Sequence, residues 1–109
     1  MNYIEFPVKE KTYKLRLNTR STISLEKQLG CNPVAIFGSG DTIPTITVMV
    51  RILHASLQAL EHGISLDDAY DIFDAWLADG HVMTDFITII IDIYKASGII
   101  KDTSEAAKN

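Results

Sequence analysis

The sequence of 109 residues predicts an α+β fold that is mainly α: an N-terminal β-hairpin followed by a compact bundle of about four helices. Three observations carry this expectation. Two short runs within residues 2–18 read as strands, the second alternating apolar and polar side chains with the period of a half-buried strand. From residue 19 onward the apolar positions recur every three or four residues, as on one face of a helix. The helical segments are also separated by glycines and preceded by Ser, Thr or Asn, the residues that start and stop helices. A chain of this length fits one domain, assigned to residues 1–100, with 101–109 as a flexible tail.

The strands are expected over Asn2 to Val8 and Lys11 to Asn18, where Tyr13, Leu15 and Leu17 alternate with Lys14, Arg16 and Asn18. Lys9-Glu10-Lys11 is a hairpin-length link without the Asn-Gly or Asp-Gly signature. Pro7 suits an edge strand. A two-stranded hairpin is marginal alone, so it must lean on the helices or gain strands from a neighbour.

Thr19 or Ser21 can cap a first helix that runs through Leu29 and stops at Gly30. Asn32-Pro33 opens a short helical turn through Phe37, and Gly38-Ser39-Gly40-Asp41 reads as a flexible loop. Pro44 fits the first turn of a second helix, with Ile46, Met49, Val50, Leu53, Leu57 and Leu60 on one stripe and Gly63 as its end. Ser65 caps a third helix, and Asp68 is placed for a carboxylate version of the capping box. Leu66, Ala69, Tyr70, Phe73, Trp76 and Leu77 form its expected buried face, and Gly80 stops it. The last helix, from about His81–Thr84 to Ser97, has only a narrow polar strip of Thr84, Asp85, Thr88, Asp92 and Lys95. A helix apolar around most of its circumference is either the centre of the bundle or part of a subunit interface.

Net charge is −4 and unevenly placed. Residues 1–30 carry Lys9, Lys11, Lys14, Arg16, Arg20 and Lys27 against Glu5, Glu10 and Glu26. Residues 61–92 carry eight acidic side chains and neither Lys nor Arg. These are either solvated helix faces or complementary ends for head-to-tail association or a charged partner. The apolar runs, Ile89-Ile90-Ile91 among them, do not exceed four residues and are far short of the roughly 20 residues of a membrane span. A lone cysteine, Cys31, and the lack of a signal peptide ahead of the first strand lead to the expectation of a reducing cytosol.

The search for chemistry leads away from catalysis. Gly38-Ser39-Gly40 completes neither a dinucleotide fingerprint nor a phosphate loop, and Ser39 is not in a nucleophile elbow. His54 and His62 are too far apart on a helix to grip zinc, and packing as a small hydrophobe accounts for Cys31. Asp67, Asp71 and Asp74 share a helix face, but calcium needs ligands on a turning loop, so they read as a solvated face or a partner contact. No nucleophile, base and orienting group can be named together, so the expectation is a non-enzyme without cofactors. Basic residues on strands and a negative net charge also argue against nucleic acid.

Three stretches bear a resemblance. They are Tyr13-Lys14-Leu15-Arg16-Leu17-Asn18-Thr19-Arg20 with Leu25-Glu26-Lys27-Gln28-Leu29-Gly30 and Asn32-Pro33; Ile52-Leu53-His54-Ala55-Ser56-Leu57-Gln58 with His62-Gly63-Ile64; and Leu66-Asp67-Asp68-Ala69-Tyr70-Asp71-Ile72-Phe73-Asp74 with Asp79-Gly80 and Met83-Thr84-Asp85. Together they resemble the tail assembly chaperones of phages and prophages of Gram-positive bacteria, over most of residues 12–98. The resemblance implies a non-enzymatic protein of the host cytoplasm that coats the tape measure protein, helps recruit tail tube subunits and is absent from the virion. It also implies that this chain is the short form and that a longer, frameshifted form of it is a partner. A tail ending Lys108-Asn109 is compatible with an A-rich slippery run in the gene. The partner contact is expected at Asp67, Asp71 and Asp74 and at Ile87, Ile90, Ile91 and Tyr94 of the last helix, which is also a candidate contact between copies in a homo-oligomer. A structural head–tail connector or tail component and a small bacterial adaptor or regulator are the alternatives.

Overall fold

In the computed structural model, which describes residues 3–37 and 43–101, the chain opens with strands β1 (Ile4–Val8) and β2 (Lys11–Leu15), paired antiparallel with Ile4 opposite Leu15 and Val8 opposite Lys11. The turn is the two residues Lys9-Glu10, and Lys9 takes the left-handed φ of 55° that such turns require. One face of the hairpin carries Phe6, Val8 and Leu15 into the core. β1 packs on the third and fourth helices and β2 on the second, so the hairpin leans on helices of its own chain.

β2 ends at Leu15, where the sequence suggested Asn18. The reason lies in where the next amides go. Arg16 N–H donates to the Ser56 carbonyl at 2.9 Å, and Leu17 N–H donates to Ser97 Oγ at 2.8 Å, so this segment is bound to two helices instead of the neighbouring strand. Asn18 then caps α1 (Thr19–Leu29) in place of Thr19 or Ser21. Its Oδ1 accepts from the Ser21 amide at 2.8 Å, while Ser21 Oγ accepts from the Asn18 amide at 2.9 Å, a reciprocal box that satisfies two donors at once. Gly30 ends the helix with φ +73°, as expected.

A 3-10 turn (Pro33–Phe37) follows, with the Asn32 side chain accepting from the Val34 amide. The loop expected over Gly38 to Asp41 lies outside the described residues, as do Asn2 and the expected tail beyond Lys101. α2 (Ile46–Leu57) is capped by Thr45, which leaves Pro44 just outside the helix, and it stops at Gln58, well short of Gly63. It is the central helix: it packs against α1, β2, α3 (Leu66–Ala78) and α4 (Asp85–Ala96). That position explains why Ile52, Ala55 and Ser56 are buried beyond the expected stripe, while Ile46, at its first position, and Leu60, past its end, are exposed. The Ser65–Asp68 capping box of α3 is present in both directions.

Between hairpin and helices sits an aromatic cluster of Phe6, Phe73, Trp76 and Phe86, with ring centroids 5.2–5.9 Å apart and tilted or edge-on geometries. His81 stacks flat on Trp76 at 4.5 Å. No helix among the described residues is long and apolar enough to cross a membrane.

Candidate partner-binding surfaces

The acidic series occupies the outer face of α3. Asp67, Asp71 and Asp74 are all exposed, and Tyr70 stands among them with 44 % of its surface in solvent. Positions 67, 70, 71 and 74 follow the three-and-four spacing of a single helix face. Tyr70 therefore cannot join the buried face expected for it, and Ile72 fills the core position instead. The same spacing, applied to the aspartates, would have placed Tyr70 at the surface from the sequence.

Among the described residues the one close ionic contact is His81 Nδ1 to Asp85 Oδ2 at 3.9 Å, so no Lys or Arg neutralises the α3 aspartates. No group of three or more metal-ligating side chains occurs among the described residues either. What remains is a negative stripe with an aromatic centre, whose field attracts cations. Asp68 belongs to the cap: the Ser65 amide, then the Ser65 hydroxyl, hold its carboxyl below the usual range against a small opposing effect of burial.

The four α4 residues divide. Ile90 and Tyr94 are fully buried, so neither can meet a partner at the surface, and their part in the expected contact is withdrawn. Both belong to the core, and the Tyr94 hydroxyl donates to the Pro33 carbonyl at 3.0 Å. Burial, then the neighbouring Cys31, push the phenol above its ordinary range. Ile87 and Ile91, one turn apart, are partly exposed and remain on the surface of α4.

A further surface was not singled out from the sequence. The outward face of α1 carries Arg20, Ile23, Ser24 and Lys27 at helical spacing, all exposed, with Ile23 47 % accessible. On one side a cleft of about 250 Å³ separates α1 from α2, lined in part by Arg20, Ser24, Gln28, His54 and Gln58. On the other a hollow is lined by residues including Arg16, Ile23, Glu26 and Ile99. Arg51 of α2 donates to Oε1 of Gln28, on the α1 wall of the cleft, at 3.1 Å. The buried His54 Nδ1 and Arg16 Nε have no hydrogen-bond partner among the described residues. The signal was available as the spacing of Arg20, Ile23 and Lys27, but α1 has only three large apolar side chains, Ile23, Leu25 and Leu29, and Ile23 lies on the exposed side. Cys31 is exposed just beyond this helix, so packing as a small hydrophobe does not account for it.

Compared with known proteins, the chain matches no family model, no curated protein and no solved structure.

Proposed function

We propose that this chain is the short form of a phage or prophage tail assembly chaperone, a non-catalytic protein that binds the tape measure protein in the host cytoplasm and helps recruit tail tube subunits. The observation that carries the reading is the α3 face, where Asp67, Asp71 and Asp74 surround an exposed Tyr70 with no cation opposite them among the described residues. An aromatic anchor inside a ring of like charge suits a long helical client that presents basic and apolar residues together. The resemblance of residues 12–98 to such chaperones supplies the identity of that client. Ile87 and Ile91 offer a second apolar contact, to the client or to another copy of the chain.

Co-expression with the large protein encoded immediately downstream tests the reading. A soluble complex containing several copies of this chain, captured by affinity and sized by light scattering, is the expected result. Reversing Asp67, Asp71 and Asp74 to Lys should release the client while leaving the fold intact, because all three side chains are exposed. A downstream protein that is soluble alone and does not co-elute would end the assignment.

A further inference from the structure

We propose that the outward face of α1, with the hollows on its two sides, is a second docking surface, and that it takes an acidic amphipathic helix. This deepens the reading of the chain as a protein-binding module and does not depend on who the client is.

The first argument is charge. Arg16, Arg20 and Lys27 border this face against the single carboxylate of Glu26, in a molecule whose net charge is −4. None of these three cations lies within ion-pair distance of a carboxylate among the described residues. The second is shape and polarity. Ile23 projects at the middle of the face, and it lines the hollow that also contains Arg16. His54 lines the cleft on the other side. The unpaired buried atoms of Arg16 and His54 are unusual, since buried polar groups are normally bonded.

The third is spacing. Arg20 and Lys27 are seven residues apart, about 10.5 Å along a helix at 1.5 Å per residue. A partner helix with carboxylates seven residues apart matches both cations. An apolar side chain between them, three or four residues from each, then covers Ile23. Nucleic acid fits less well, because an apolar side chain occupies the centre of the face and a phosphate backbone offers nothing to cover it.

The test uses the full chain and two fluorescent peptides of about 18 residues, long enough for some helix in isolation. One carries a leucine stripe flanked by Glu at seven-residue spacing, and the other carries Lys in place of Glu. Anisotropy should show saturable binding of the Glu peptide, weakening as salt rises from about 0.05 to 0.5 M. The pair Arg20→Glu and Lys27→Glu, and separately Ile23→Asp, should weaken it by about tenfold or more. Glu5→Gln, on the exposed side of β1, should leave it unchanged. These positions are exposed, and unchanged circular dichroism verifies that each variant folds.

Equal binding of both peptides, indifference to the α1 substitutions, a Kd above about 1 mM, or duplex DNA preferred over the Glu peptide would each overturn the proposal. So would self-association that blocks the peptide and is abolished by the α1 substitutions, since the face would then belong to a second copy. Failure of the peptide titration leaves the chaperone reading standing if the downstream protein is still captured. Failure of that capture leaves the peptide result intact.

Discussion

Replacing Tyr94 with Phe removes one oxygen atom from a buried hydrogen bond between distant parts of the chain. The hydroxyl of Tyr94, fully buried on α4, donates to the carbonyl of Pro33 at 3.0 Å, across 61 positions of sequence. Phe keeps the ring and its edge-on contact with Phe37, whose centroid lies 6.1 Å away. The loss is therefore confined to the hydrogen bond and to the Pro33 carbonyl left without this donor. A net hydrogen bond is worth about 0.5–1.5 kcal/mol and an unsatisfied buried group costs about 1–3 kcal/mol. Part of the second term is recovered if water reaches the carbonyl, so a destabilisation of about 1–2 kcal/mol is expected.

For a domain of this size that corresponds to a fall in Tm of at least about 4 °C. Urea unfolding followed by circular dichroism should show a lower midpoint with an unchanged slope. Alkaline titration supplies an independent arm. The folded phenol is raised above its ordinary value while the unfolded one ionises near pH 10. Its contribution is thus complete below about pH 10 and is lost as pH rises toward the folded value. Wild type should lose stability faster than Tyr94→Phe above pH 10, narrowing the gap between them. A difference below about 0.5 kcal/mol at neutral pH, with parallel alkaline curves, would refute the argument that this bond ties α4 to the 3-10 turn.

Other outcomes follow from local geometry. The lowered carboxyl of Asp68 stabilises the fold above its unfolded value and ceases to do so as pH falls through the folded one. Asp68→Asn should therefore flatten the acid limb of a stability profile, and an unchanged limb would deny the cap its role. Lys9→Gly should raise stability by up to about 1 kcal/mol, because glycine accepts the positive φ that lysine adopts at a cost; a lower denaturation midpoint would contradict that. Leu25→Ala, at the fully buried anchor of α1, should cost about 2–5 kcal/mol, measured by urea unfolding, whereas Ile23→Ala on the same helix should cost under about 1 kcal/mol.

Much of the architecture was legible because local chemistry and tertiary position agree. Ser65 and Asp68 announce a helix start that the fold uses unchanged, and Gly30 announces an end. Legibility fails where several residues compete for one role. Asn18, Thr19 and Ser21 are all competent caps, and the choice rests on where Arg16 and Leu17 are already bound. It fails again where apolar content is mistaken for centrality. The isoleucine-rich α4 reads as the heart of the bundle or an interface, yet α2 occupies the middle, and its extra burial falls on Ile52 and on Ala55 and Ser56, the last two carrying little hydrophobic signal. Of the proposed contact residues, the α3 aspartates are where helical phase puts them. Ile90 and Tyr94 were misjudged because a helix apolar all round does not reveal which side the neighbours cover.

The segment Arg16-Leu17 has no regular secondary structure, yet its two amides are donated to α2 and α4. For both protons to meet solvent, the chain must leave α2 and the Ser97 cap of α4. In hydrogen exchange these two amides should therefore rank with the slow protons of the α2 interior, although neither belongs to a helix or a strand. The hairpin behind them inherits that restraint, so the amino-terminal third and the helical body should open in a single step and not as separable units.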